Sequence, residues 1–423
     1  MSALGVPAGP RARIDRQLVA VSAFVLFGLI DIVGFGLQAR HGDAQFAFSQ
    51  EFAKVTVPNL ALPAAATAYA CGAISIAAGL LRLFVPLGAV ARRVSIGVVL
   101  FGFVLALLCW ADAGQASPLS FVNLLQGTLE ASIPLILGAL AGCLCERSGV
   151  INIAIEGQLL FGAFGAAVAA SFFGALWLGL IVGSLGGALL AALLAVFAIR
   201  YLVDQVVLGV VLNVFAAGLT GFLYDRALTP YQNTLNSPAT YLPVKIPLLG
   251  DIPIIGPVLF DSSIFLYITY VLLFLVQVGL FSTRWGLRVR AVGEHPMAAD
   301  TVGIRVLGTR YGSVLLGGLI AGLGGAYLTI GSAGNFSPGI SSGMGYIALA
   351  ALIFGRWTPL GALAAALLFG FTSELQAVLS TMNVPIPSDI LLMAPYVATI
   401  IAVAGLVGRV RAPAADGKPY VTA

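Results

Sequence analysis

Apolar positions in this chain neither alternate nor fall on one narrow stripe of a helix; they run on. Continuous apolar stretches cover 18–38, 60–81, 94–111, 120–146, 151–173, 175–199, 204–223, 264–282, 311–333, 343–355, 359–378 and 389–408. Most approach the ~20 residues that a membrane-spanning helix needs. In lipid only helices and closed barrels satisfy their own backbone, and runs without alternation select helices. The pattern predicts an all-α integral membrane protein, a polytopic bundle of about 10–12 transmembrane helices. Runs 343–355 and 359–378 read either as two spans or as one broken hairpin. Arg11, Arg13 and Arg16 precede the first run in the manner of a secretory signal. That run is too long for a typical signal core, and no small-x-small cleavage site follows it, so an uncleaved first span is expected.

Composition sharpens the picture. Of 423 residues, 60% are hydrophobic and only 9% charged, and the mean hydropathy is +1.03. A soluble domain carries about 25% charged residues. The 51 glycines include "GSLGG", "LGGLIAGLGG" and "FGAFGA", patterns that let helices approach closely. Cys71, Cys109, Cys143 and Cys145 lie in or at the ends of apolar runs and suggest small core residues rather than a metal or disulfide framework. The net charge of +4 calls for no nucleic acid. With both termini placed in the cytoplasm, all of the 21 basic residues except Arg40, Lys54, Arg226 and Lys245 fall on the inner side, as the positive-inside rule requires. The expected organisation is a cytoplasmic tail at 1–17, N-terminal spans over 18–119, a core over 120–408 and a second cytoplasmic tail at 409–423.

Two loops stand out. The outer loop, 224–263, carries Pro230, Pro238, Pro243, Pro247, Pro253 and Pro257; it suits a cap, a partner site or a mere connector. The inner loop, 283–310, holds one short helix signature, with Pro296 to open it, "MAADTV" within it and Gly303 to close it. It reads as a docking element or as a solvated loop. A weak internal echo also appears. Arg147 is followed by "LLFGAF" and Arg356 by "LLFGFT" at nearly the same distance, as in transporters built from repeats.

The stretch "CERSGVINIAIEGQLLFGAFGA", 145–166, spends scarce polar residues inside this apolar chain. Asn152 and Glu156 are four apart and are expected on one helix face. An intramembrane carboxylate normally faces a bundle interior or a watery path. Asn152, Glu156, Glu130 and Glu374 are therefore assigned to a translocation pathway, the alternative for Glu156 being that it caps a neighbouring helix. Glu146, Arg147 and Arg356, at inner ends, are assigned to a structural ion pair. Absences narrow the class. The three lysines fit no G-x-x-x-x-G-K-[ST] motif, and no H-E-x-x-H, G-x-S-x-G or C-x-x-C occurs. No catalytic residue, metal site or cofactor is assigned, and the chain is not read as an enzyme.

The run "ERSGVINIAIEGQLLFGAF" at 146–164 resembles the permease subunits of bacterial ABC importers in the ribose, nucleoside and branched-chain amino acid group. It is most like the nucleoside or simple-sugar permeases that work with a lipoprotein of the basic membrane protein family. "GLRVRAVGEHPMAADTVGI" at 286–304 resembles their ATPase-engaging loop, and "GYIALAALIFGRWTPLGA" at 345–362 their late broken helix. The resemblance covers about 120–410, and the first three spans are less typical. Sugar permeases of the group usually differ in the first motif, which favours nucleosides. The resemblance implies a multi-pass subunit of the bacterial plasma (inner) membrane. A second related permease would complete the pore, and a substrate-binding lipoprotein would deliver the solute. A separate ATPase would bind ATP and contact Glu294, His295, Pro296, Ala298, Ala299 and Gly303. A simple-sugar (pentose) importer, or a stand-alone channel or secondary carrier, are the alternatives; uptake by this chain alone would select the last.

Overall fold

A computed structural model describes residues 16–39, 42–50, 56–85, 88–382, 384–393, 396 and 411–421. Among them, 10 helices are long and apolar enough to cross a membrane. They match ten of the twelve predicted runs within a few residues; the other two differ. Run 343–355 forms a shorter helix, Met344–Phe354, and run 389–408 lies mostly outside the described residues. The chain divides into two compact units, Met1–Val122 with Thr381–Pro385, and Asn123–Ser380 with Ile386–Ala423.

In the first unit, helix α1 (Arg16–Leu29) continues through wider π-helical turns over Ile30–Gly36 and is followed by α2 (Ala64–Phe84) and α3 (Ala89–Asp112). The run predicted to begin at residue 60 starts instead as a strand. Strand β1 (Asp43–Ala47) pairs antiparallel with β2 (Leu60–Pro63) and parallel with β3 (Leu119–Ser120), with Phe46 opposite both Leu60 and Leu119. Pro63, at φ −65° and ψ 112°, makes the turn into α2. The Asp112 carboxylate accepts the Gln45 backbone N–H at 2.6 Å and ties this sheet to α3. Helices α1 and α2 cross backbone to backbone: a Cβ at Gly28 would lie 2.7 Å from the Gly72 carbonyl oxygen.

The second unit contains α4 (Phe121–Glu146), α5 (Ile155–Phe173), α6 (Leu176–Ala195) and α7 (Gln205–Leu223). The outer loop follows, with α8 (Gln232–Leu235), strand β4 (Val244–Lys245), α9 (Ile255–Phe260) and strand β5 (Asp261–Ser262). Then come α10 (Ile264–Ser282), α11 (Arg284–Glu294), α12 (Pro296–Thr301), α13 (Val306–Ala326), α14 (Met344–Phe354), α15 (Pro359–Thr381) and α16 (Ser388–Leu392). Helix α4 is the central element: 83% of its most apolar window is buried, against 28% for α10. Glycines bring α5, α6 and α13 into direct contact, since a Cβ at Gly183 would sit 2.9 Å from the Gly162 carbonyl oxygen.

The outer loop is pinned rather than loose. β4 and β5 pair, Lys245 and Asp251 form an ion pair at 2.7 Å, and Asn236 exchanges two hydrogen bonds with the Phe336 backbone, at 2.9 and 2.6 Å. The inner loop holds more order than its sequence suggested. Besides the helix opened by Pro296 it contains α11, whose first turn is capped by the Thr283 hydroxyl accepting from Gly286 N–H at 3.1 Å.

Candidate functional site

Helix α4 stops at Glu146, and the chain turns back before α5. Gly149 makes that turn at φ +89°, in the left-handed region. Asn152 lies in the turn and α5 begins only at Ile155, so Asn152 and Glu156 do not share the helix face expected of them. Polar side chains satisfy the backbone that an unbroken helix would have satisfied itself. The Ile151 N–H donates to Gln205 at 2.7 Å. The Gly157 N–H donates to Asn213 at 2.8 Å, and the Asn213 amide donates to the Ile153 carbonyl at 2.9 Å. Asn152 is wholly buried and exchanges amide hydrogen bonds with Gln158 at 3.1 and 3.2 Å.

Glu156 is buried as well, and three donors hold it. Its Oε1 accepts from the Ser341 hydroxyl at 2.6 Å and from Gly343 N–H at 2.9 Å, and its Oε2 accepts from Gly345 N–H at 2.7 Å. Gly343 and Gly345 open α14, so this carboxylate caps the positive end of that helix. With 11 residues, α14 is about 16 Å long and covers roughly half of a bilayer core. Broken helices of this kind line cavities in transporters.

Glu146, Arg147 and Arg356 meet, but not as the expected ion pair. The Arg147 guanidinium donates to the backbone carbonyls of Trp357 and Arg356, at 2.8 and 3.2 Å. Glu146 accepts from the Trp357 indole N–H, with the Asn152 backbone and the Asp416 carboxyl beside it. The turn between α14 and α15 explains the difference. Arg356 and Trp357 are left-handed, at φ +55° and +54°; this turns their carbonyls toward Arg147 and the indole toward Glu146. The two breaks singled out by the "LLFG" echo are thus in contact.

Glu130 on α4 and Glu374 on α15 are half-buried and close enough for their charges to act on each other. The Glu374 carboxyl rests against Gly127, where a Cβ would overlap it. The Gln126 amide reaches Glu130 at 3.4 Å and the Asp261 carbonyl at 3.3 Å. The buried Tyr327 side chain lies within reach of both charges.

Helix α12 has two faces. Ala299 is buried with Val292, Val306 and Tyr420. Ala298 is exposed, and Met297 and Val302 are each 75% exposed. The two alanines therefore do not form one contact face. Glu294 ends α11 and accepts the Ala414 N–H at 3.2 Å instead of steadying the start of α12; His295 caps α12 with no side-chain bond. Gly303, at φ +83°, turns the chain after α12. Beside these residues an open groove of about 860 Å³ is lined by Arg284, Arg288 and Arg305 among others.

The sequence reading missed Gln205, Asn213, Ser341, Trp357 and Asp416. Gln205 and Asn213 were visible as polar residues in an apolar run, the same signal that singled out Asn152. Asp416 gave none, because it sits in a polar tail.

Comparison with known proteins agrees with this architecture. Residues 124–407 match the family described as branched-chain amino acid transport system / permease component. The guanosine ABC transporter permease protein NupQ of Bacillus subtilis is 43% identical over 307 residues, which span 70% of this chain and 96% of that protein. The nucleoside ABC transporter permease protein NupC of Lactococcus lactis is 41% identical over 318 residues, 72% of this chain and 99% of that protein. A putative glucose ABC transporter permease protein of Haloferax volcanii is 33% identical over 254 residues, 60% of this chain and 77% of that protein. No solved structure matches. By the extent of the family match and by these relatives, the chain is a multi-pass membrane protein that belongs to the permease-component family of ABC transport systems.

Proposed function

We propose that this chain is the transmembrane permease subunit of an ATP-driven importer and forms the path by which nucleosides cross a bacterial plasma membrane. The observation that carries the reading is the pair of relatives, at 43% and 41% identity, whose names specify guanosine and nucleosides. In this reading the arginine-rich end, with Arg147, Arg288 and Arg305, faces the cytoplasm together with both termini. The outer loop, 224–263, faces the side from which a substrate-binding lipoprotein delivers solute. A second related permease completes the pore. An ATPase on another chain docks on the exposed face of α12, where Met297 and Val302 offer apolar area outside the membrane-spanning helices.

The chain's own residues divide the work. Glu156, Asn152 and Asn213 hold the two helix breaks in register. Glu130 and Glu374 offer carboxylate oxygens to the hydroxyl donors of a ribose. The simple-sugar alternative finds support in the Haloferax relative, and the same carboxylates suit either solute.

The test is uptake into proteoliposomes that hold the complete assembly. Labelled guanosine or uridine should enter only with ATP, and unlabelled nucleoside should compete where ribose does not. Competition by ribose alone would select the sugar importer. ATP-independent uptake by this chain alone would overturn the importer reading.

A further inference from the structure

Residues 411–421 form a strap across the end of the second unit where α11, α12 and the break after Glu146 meet. Five points fasten it. The Ala414 N–H donates to Glu294 at 3.2 Å, and the Ala415 N–H donates to the Gly293 carbonyl at 2.9 Å. The Lys418 carbonyl accepts from the buried Arg310 guanidinium at 3.1 Å. The Tyr420 hydroxyl donates to the Asp300 carboxylate at 2.6 Å, with its ring in the apolar cluster of Val292, Ala299 and Val306. The Asp416 carboxyl lies beside that of Glu146, and the Ala415 carbonyl sits against Gly149 in the break, 3.1 Å from where a Cβ there would lie. Gly417, at φ +71°, turns the strap over Ile151.

These contacts add a second connection among three parts: α12, the end of α11 and the base of α4. Gly293 is pressed so closely to the carbonyl of Arg147 that a Cβ there would overlap it. The strap closes over that junction. A 6-residue helix has too few internal hydrogen bonds to act as a rigid lever by itself, so something else must keep α12 fixed to α4. Buried side chains and hydrogen bonds with defined geometry are the means by which packed elements move together.

We propose that the 411–421 strap makes α12 and the base of α4 one mechanical unit, and that Asp416 and Tyr420 are positioning residues for transport. The inference rests on the reading of α12 as the ATPase contact. A push on Met297 or Val302 then passes through Tyr420 and Asp416 to Glu146, Trp357 and the breaks that hold α5 and α14. Without the strap, α12 still binds its partner, but its motion is absorbed locally.

The experiment uses the full chain in its complete assembly. It measures two quantities: the ATPase retained on purification, and the nucleosides imported per ATP hydrolysed. Tyr420→Ala and Asp416→Ala should keep the ATPase at wild-type yield and lower import per ATP by roughly fivefold. Tyr420→Phe keeps the ring in its apolar seat and loses only the bond to Asp300. It should fall between, and it keeps the test available if the alanine variant fails to insert. Met297→Asp serves as the control on the docking reading and should lose the ATPase itself. Wild-type import per ATP in Tyr420→Phe and Asp416→Ala would overturn the proposal. So would loss of the ATPase from these variants to the extent seen in Met297→Asp, because the strap would then be part of the dock. If Met297→Asp keeps the ATPase and full uptake, the docking reading falls. The strap is then judged by the import ratio of its own variants.

Discussion

Two groups of acidic side chains lie in the second unit, and the fold treats them in opposite ways. Glu156 is saturated: a hydroxyl and two backbone N–H groups hold its carboxylate. Glu146 likewise accepts from the Trp357 indole, with the Asn152 backbone beside it. Glu130 and Glu374 are left open. Glu130 has the Gln126 amide at 3.4 Å and the Ser262 side chain beside it, and among the described residues no donor is placed on Glu374. A saturated carboxylate in an apolar bundle is part of the frame, since removing it strands its donors. Two facing, under-used carboxylates have acceptor capacity to spare, and a polyhydroxyl solute has donors to fill it. The contrast separates holding from handling in residues that look alike in the sequence.

The largest effect should come from breaking the frame. Glu156→Leu leaves the Ser341 hydroxyl and two N–H groups unpaired in a buried site, at about 1–3 kcal/mol each. That sum is comparable to the whole stability of a typical domain, about 5–15 kcal/mol. Membrane-inserted, monodisperse protein should fall sharply, as read by size-exclusion yield and melting in detergent. Normal yield with a selective transport defect would move Glu156 into the handling group.

Next in size is Glu374→Gln. Losing a hydrogen bond to a charged acceptor costs about 1.5–3 kcal/mol, roughly a 10- to 100-fold rise in KM for nucleoside. Yield should hold, because no donor depends on that carboxylate. Glu130→Gln should act in the same direction and, as a neighbour, less than additively.

Met297→Asp leaves both acidic groups untouched and probes the far end of the machine. If α12 is the dock proposed above, a charge forced into its desolvated face is costly, and ATPase retention should fall by about tenfold. Ala299→Glu is a different experiment: Ala299 is buried beside Tyr420, so its first effect should be release of the strap.

The smallest effect is one of pH. Burial, and after it the charge of Glu146, pushes the Asp416 carboxyl well above the usual carboxylate range, partly offset by the Gly417 backbone and by Arg310. The docked strap thus binds more protons than a released one, so docking is strongest at acid pH and weakens as pH rises through the raised range. A spin label on Val421→Cys should become more mobile from pH 6 to pH 9, and Asp416→Asn should flatten that response. No change in mobility with pH in the parent protein would remove Asp416 from the latch.

Much of this was legible in the sequence because hydropathy dictates spans directly: ten of the predicted runs became helices long and apolar enough to span a membrane. Pro296 and Gly303 likewise announced α12. The site was legible only as a set of polar residues out of place. Residue spacing put Asn152 and Glu156 on one helix, because nothing local distinguishes a polar helix from a polar turn whose N–H groups find Gln205 and Asn213 far along the chain. The ion pair failed for the same reason. Charge suggested that Arg147 meets a carboxylate, whereas two left-handed residues, Arg356 and Trp357, presented carbonyls first. The strap was invisible, since its partners lie more than a hundred positions away.

The contrast between frame and path is tested most directly by the concentration dependence of ATP-driven guanosine uptake in proteoliposomes. Wild type would be compared with Glu374→Gln and Glu156→Gln, with rates normalised to assembled transporter. The account predicts a raised KM for Glu374→Gln at normal assembly. It predicts for Glu156→Gln a wild-type KM in whatever smaller amount of transporter assembles. A raised KM confined to Glu156→Gln, with Glu374→Gln indistinguishable from wild type, would contradict it.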